Sequence, residues 1–348
     1  MRELDGSDAG GQFLRTALAL SAVRGEAVRL ENVRGARSNP GLRSQHLAVL
    51  EALTEICDAD VSGAELGAET VEFDPEAEAG AGVDTITGGQ YTVEIDTAGS
   101  VTLLFDALLP LATRLESPLS VTATGGTDVA WSPPIDYHRY VKLPLLRRFG
   151  LEAVVELERR GFYPAGGGRA TLRLSPSALK PIRLDVQERT DPDHVHVYST
   201  EAAALADNDV ASRQAAGALE RLSRSLEDHD LTVRERVETT AESACPGSAI
   251  VIRIDGSNTV AGFAALGEPG KRAERVGEEA ADAAKRFLAS DAPVDRHMAD
   301  QLLVFLALAG GHIRVPTVTD HVDSSLDLLA SMGMEVAIDR EELVVSSG

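Results

Sequence analysis

Aromatic side chains make up only 4% of this 348-residue chain, and tryptophan occurs once. A core of this size must then be aliphatic, and the 43% apolar content supplies the Leu, Val, Ile and Ala to build it. Lysine is also scarce. It stands only at Lys142, Lys180, Lys271 and Lys285, so nearly all positive charge is arginine. Cysteine is rarer still: Cys57 and Cys245 lie far apart with no ligand spacing, which excludes a disulfide framework and a cysteine zinc site. That usage fits a reducing, cytoplasmic interior. No apolar run approaches ~18 residues and MRELDGSDAGG does not read as a signal peptide, so no membrane association is expected.

Negative charge is what the chain has in excess. The net charge is −22 and the isoelectric point is about 4.7. Dense carboxylates with little lysine look like a surface adapted to high salt. A local arginine patch can still hold phosphate there, because salt at 1 M screens the remaining charge within ~3 Å.

One grammar recurs three times: a small-residue turn opens a very apolar helix. The segments are DAGGQFLRTALALSAV (8–23), DTAGSVTLLFDALLPLA (96–112) and HMADQLLVFLALAG (297–310). After each come a strand-like run, a polar loop with Pro or Gly, an amphipathic helix and a pair of strands. The pattern predicts three βαβαββ-like units in an α/β (α+β) fold. An inserted smaller α/β module is expected over 181–275, with strands PIRLDV, HVHVYST and SAIVIRID and a helix at 211–226. The large domain then comprises 1–180 and 276–348. Segment 76–90 reads as a Gly-rich surface loop.

Five constellations bear chemistry. In LDGSDAGGQFLR, glycines before a helix let backbone N–H groups approach an anion. Asp8 there either holds a divalent cation or caps the helix. In RGARSNPGLRSQH, Arg34, Arg37 and Arg43 crowd one loop, with Arg15 on the preceding helix; guanidinium forks suit phosphate, and they equally suit surface carboxylates. In GGTDVAWSPPIDY, Pro133, Pro134 and Tyr137 beside Trp131 form either a stiff platform for a base or a plain helix start. In HMADQLL, Asp300 and Gln301 either orient a ligand or cap a helix. His321, in PTVTDHVDSS, falls in the slot that the arginine loop and the proline platform occupy in the other two units. A helix start disfavours positive charge, and an uncharged imidazole is what nucleophilic attack needs. His46, His138, His297 and His312 compete with it for that role.

Together, LDGSDAGGQFLRTALALSA, RGARSNPGLRSQH, AGSVTLL, GGTD…SPPIDY, RGFYPAGGG, GEPGKRAERVGEEAA, ADQLLVFLALAG and VTDH resemble the RNA 3′-terminal phosphate cyclase family. The motifs run in order along nearly the whole chain and are weakest over 181–275. The resemblance implies a large domain of three βαβαββ repeats with one inserted domain. It also implies ATP-dependent conversion of an RNA 3′-phosphate into a 2′,3′-cyclic phosphate through a histidine–AMP intermediate, with Mg or Mn as the metal. His321 matches the nucleophile. Asp106, Pro133, Tyr137 and the run His297, Met298, Ala299, Asp300 and Gln301 match ATP-binding positions. Arg15, Arg34, Arg37 and Gln45 match positions that line the phosphate and RNA end, and Asp8 matches the metal position. Relatives that lack the histidine are non-catalytic and bind RNA or ribosome-assembly factors. The chain departs from the family pattern in several places. Its glycine loop is shortened to SDAGGQ, with Asp8 where glutamate is usual. Asp106 replaces a glutamine, His297 a tyrosine, and Ser324–Ser325 a Thr-Asn pair.

Overall fold

In the computed structural model, residues 1–75, 85–96, 98–184 and 191–348 are described. Most of the Gly-rich segment 76–90 therefore lies outside the described residues. Four small sheets carry the fold, and three of them repeat one topology.

The first unit contains β1 (Arg2–Asp5), α1 (Gly11–Arg24), β2 (Val28–Glu31), α2 (Ser44–Cys57), β3 (Asp60–Ser62) and β4 (Val71–Asp74). Its strand order is β1-β2-β4-β3, with β1 and β2 parallel and the other pairs antiparallel. The second unit has β5 (Gly89–Glu94), α3 (Val101–Leu108), β6 (Leu119–Gly125), α4 (Ile135–Tyr137), α5 (Leu143–Arg148), β7 (Ala153–Arg159) and β8 (Gly168–Leu174). The order is again first-second-fourth-third, β5-β6-β8-β7.

A third unit opens with β9 (Ile182–Leu184) and is then interrupted. The interruption comprises β10 (His194–Ala202), α6 (Val210–Asp228), β11 (Thr232–Ala241), β12 (Ser248–Asp255), β13 (Val260–Leu266) and α7 (Ala273–Leu288). The unit resumes with α8 (Arg296–Gln301), α9 (Leu303–Ala309), β14 (Gly311–Arg314), α10 (Asp320–Ser331), β15 (Val336–Asp339) and β16 (Val344–Ser347). Its sheet order, β9-β14-β16-β15, repeats the pattern of the other two. A Cβ on Gly311, whose φ is +112°, would lie 2.0 Å from the Ile182 carbonyl oxygen, so only glycine lets β9 approach there.

The edges of the insert differ from those expected of the sequence. The run PIRLDV supplies β9, which pairs in parallel with β14 and so opens the third repeat. At the other end α7 belongs with the insert. Its Val276, Ala280, Ala281, Ala284 and Phe287 join the core formed by Val197, Ile250, Ile252 and Ala218. Gly277 permits this, because a Cβ there would meet the Gln214 carbonyl oxygen at 2.0 Å. The insert therefore begins after β9 and ends after α7, because side-chain burial draws the boundary.

Two interruptions shape the repeats. The predicted helix 297–310 divides into α8 and α9 at Leu302. In the second unit a turn of π-helix, His138–Lys142, sits between α4 and α5. Pro144 lacks an N–H and cannot bond to the Tyr140 carbonyl. Arg253 of the insert donates to that oxygen instead, at 3.1 Å. One continuous aliphatic core joins all three units, and a separate core fills the insert.

Candidate active site

The site grows from the start of α1. Gly10 and Gly11 lead into the helix, and side chains from α2 and its loop close over them. A Cβ on Gly11 would lie 2.2 Å from His46 Nε2 and 3.2 Å from an Arg15 nitrogen; one on Gly10 would lie 3.3 Å from an Arg37 nitrogen. His46 is buried, and its Nδ1 accepts the Arg43 backbone N–H at 3.3 Å. Burial, with Arg15, Arg34 and Arg43 nearby, pushes the His46 pKa down to about 3. This imidazole is a neutral spacer in a positive cluster.

Arg15, Arg34, Arg37 and Arg43 form no ion pair among the described residues. Carboxylates among the described residues do not occupy these arginines. Arg34, at φ +57°, spends one nitrogen on its own loop, donating to the carbonyls of Asn39 (3.0 Å) and Gly41 (2.9 Å). Arg37 is exposed and Arg15 half-buried. Burial lowers the Arg15 pKa to about 10, opposed by Asp106, so it stays charged at neutral pH.

The second repeat meets this cluster at the start of α3. Gln45 Nε2 donates to the Ser100 carbonyl at 3.0 Å, while Ser100 Oγ caps the helix by accepting from Leu103 N–H. Thr102 Oγ1 donates to the Pro133 carbonyl at 2.8 Å, which ties the proline loop to the same place. Behind Arg15, Lys142 Nζ (2.7 Å) and His138 Nε2 (2.9 Å) both reach Asp106 Oδ1. Burial would raise the Asp106 pKa, but these two neighbours outweigh it and hold the carboxyl well below its usual range. Lys142 is fully buried. Asp106 therefore works as a fixed counter-charge rather than a free ligand group.

Helices α8 and α10 complete the site. A cavity of about 70 Å³ is lined by Gln12, Arg15, Asp106, Lys142, Asp300 and Gln301, with Ser325 at its side, so all three repeats contribute. Asp300 Oδ1 and Gln301 Oε1 are buried acceptors without a hydrogen-bond partner among the described residues. Such orphans call for a ligand donor. Burial raises the Asp300 pKa to about 7. Gln12 Nε2 lies 3.5 Å from Ser325 Oγ and links the start of α1 to α10.

His321 stands one turn before Ser325 on the same face of α10. It is exposed, and Thr319 caps the helix by accepting from Val322 N–H at 3.2 Å. Burial lowers the His297 pKa, Asp295 opposes, and the charges of Arg296 and His321 add to the lowering. The two histidines are thus electrostatic neighbours from α8 and α10.

Several expected positions serve other ends. The Tyr137 ring is 3% exposed, and its hydroxyl donates to both Asp295 oxygens, at 2.9 and 3.0 Å. It packs against Gly262 of the insert and is a joint between domains, not an open face for a base. Met298 and Ala299 are core side chains, and the Met298 N–H is held by Asp295. Of the α8 positions, Asp300 and Gln301 line the cavity. His138 is a buried partner of Asp106, which removes it as a competitor for the nucleophile's role. Asp8 is exposed, and among the described residues no group of three or more His, Cys, Asp or Glu could hold a metal. The described residues do not make a cation cage. Lys142 and Gln12 were not singled out in the sequence, although Lys142 four residues after His138 in an apolar stretch is a readable signal.

The family model described as RNA 3′-terminal phosphate cyclase matches residues 7–338. The chain belongs to the RNA 3′-terminal phosphate cyclase family. A Halobacterium salinarum relative bearing that name is 46% identical across 98% of both chains. An Archaeoglobus fulgidus relative of the same name is 39% identical across 99% of this chain and all of its own. One from Thermococcus onnurineus is 42% identical across 92% of this chain and 89% of its own. Membership in the cyclase family agrees with the three-repeat topology. Among the described residues, no helix is long and apolar enough to cross a membrane.

Proposed function

We propose that this chain uses ATP to turn the 3′-phosphate of an RNA end into a 2′,3′-cyclic phosphate, with His321 carrying AMP between two steps. The observation that supports this most is the set of unpaired arginines at the start of α1 in a chain of net charge −22. None of the four meets a carboxylate among the described residues, although acidic residues outnumber basic ones in the chain.

In the proposed route an imidazole nitrogen of His321 attacks the α-phosphorus of ATP, and the electron pair of the broken P–O bond leaves on pyrophosphate. An oxygen of the RNA 3′-phosphate then displaces the imidazole and takes over AMP as a diphosphate linkage. Finally the neighbouring 2′-oxygen attacks the RNA phosphorus, gives up its proton and expels AMP. Negative charge accumulates around phosphorus in every step. Arg15 and Arg37 offer fixed positive charge there, and Gln45 offers an amide beside it. Lys142 and His138 keep Asp106 charged, and that charge favours the charged form of Arg15. The family resemblance assigns His297 and Pro133 to the adenine, and Asp300 and Gln301 offer acceptors for its donors or for ribose hydroxyls.

The test is incubation of 3′-phosphorylated RNA with ATP in high salt. The expected result is AMP released in step with the appearance of phosphatase-resistant RNA ends. RNA bound tightly without AMP release would instead indicate a non-catalytic binding protein.

A further inference from the structure

We infer that Trp131 is a stacking platform for an unpaired base of the RNA strand leading to the 3′ end. This inference rests on the RNA-end reading above and adds a recognition residue to it.

The only tryptophan of the chain is 99% exposed. The next most exposed aromatic ring among the described residues, Tyr163, is 74% exposed. Trp131 also has φ +67°, a backbone region in which a bulky side chain is strained and glycine is at ease. Neither packing nor backbone geometry therefore accounts for tryptophan at this position. What the geometry does provide is a firm base beneath it. Ile135 N–H donates to the Thr127 carbonyl at 2.9 Å and closes the loop on itself. Ser132 Oγ donates to the Val129 carbonyl at 3.0 Å, and Val129 is buried. Asp128 is held by the buried Arg160 guanidinium at 3.0 Å. The ring is thus presented to solvent from a loop whose foot is fixed.

The loop's position selects the occupant. Two residues beyond Trp131, the Pro133 carbonyl is bound by Thr102, next to Ser100 and Gln45 at the arginine cluster. An RNA end whose phosphate sits on those arginines must lay its preceding nucleotides along the surrounding rim. Splayed bases of single-stranded RNA stack on aromatic faces, and a loop with a fixed foot keeps such a face at the rim.

As the only tryptophan, Trp131 reports its own contact. Titration with a short RNA bearing a 3′-phosphate should quench tryptophan fluorescence saturably, and the same RNA made abasic near its end should not. Trp131→Gly, which suits φ +67° and so keeps the loop, should raise the KM for RNA roughly 5- to 100-fold. Its kcat and its adenylylation by ATP should stay unchanged, and Trp131→Phe should recover most of the loss. Equal quenching by the abasic RNA, or an unchanged KM in Trp131→Gly, overturns the inference. A fluorescence change that follows protein concentration without RNA also overturns it, since a second copy would then cover the ring. If the wild type stacks RNA yet makes no cyclic ends, the failure belongs to the proposed reaction and not to Trp131.

Discussion

Two arginine environments in this molecule could hardly differ more. Arg160 is buried between Asp128, at 3.0 Å, and Asp136, each side chain 5% exposed or less. In the insert, Arg213 meets Glu274, Arg221 meets Asp282 and Arg253 meets Asp255. At the start of α1, by contrast, Arg15, Arg34, Arg37 and Arg43 have no such partners among the described residues. Arg147, Arg148 and Arg159 also lack carboxylates among the described residues but donate to the carbonyls of Ala153, Ser257 and Gly167, so the α1 group is distinguished by four such arginines in one place. The comparison teaches that charge is structural where it is paired and available for phosphate where it is not.

The largest effect should come from breaking a paired site. Arg160→Met leaves Asp128 buried without a cation and Asp136 with only the longer contact to Arg139 at 3.5 Å, and chemical denaturation should show a loss of about 3–5 kcal/mol. Activity per folded molecule should survive. The reverse pattern is expected at the unpaired site. Arg15→Ala should lower turnover roughly 100- to 1000-fold with the melting transition little changed, and Arg15→Lys should not restore the forked contact. If Arg15→Ala instead unfolds the protein and spares its activity, the two environments have been misjudged.

A smaller effect concerns pH. The Asp300 carboxyl has its pKa raised by burial from 3.8 to about 7. The folded state therefore holds a proton there that the unfolded state releases. The stability this gives is fully present below about pH 4 and is lost as pH rises through about 7. Denaturation midpoints across that window should flatten in Asp300→Asn. The smallest effect belongs to an exposed pair on α6: Arg224→Ala breaks its contact with Asp228 at 3.5 Å and should leave stability and turnover unchanged within error.

Much of this organisation was legible because the repeats carry their own punctuation. A small-residue turn and an apolar helix marked α1, α3 and α8–α9, and the strands β2, β6 and β14 followed where expected. The run PIRLDV was legible as a strand, but its place as the opening strand of the third repeat was not. The strand is three residues long, and the whole insert separates it from the strand it pairs with. The arginine loop and His321 were readable as residue types in a pattern. The fate of Tyr137 was not, because its burial depends on Gly262 and Asp295, distant in sequence and brought together by the fold. Asp106 likewise became a counter-charge only through Lys142 and His138.

The central claim is that His321 carries AMP, and covalent trapping tests it most directly. With α-labelled ATP in high salt, the wild-type chain should retain acid-labile label after denaturing electrophoresis. His321→Ala should retain none, a loss of roughly a thousandfold or more, while His297→Ala should still be labelled. Label that persists in His321→Ala and disappears in His297→Ala would contradict the account and move the nucleophile to α8.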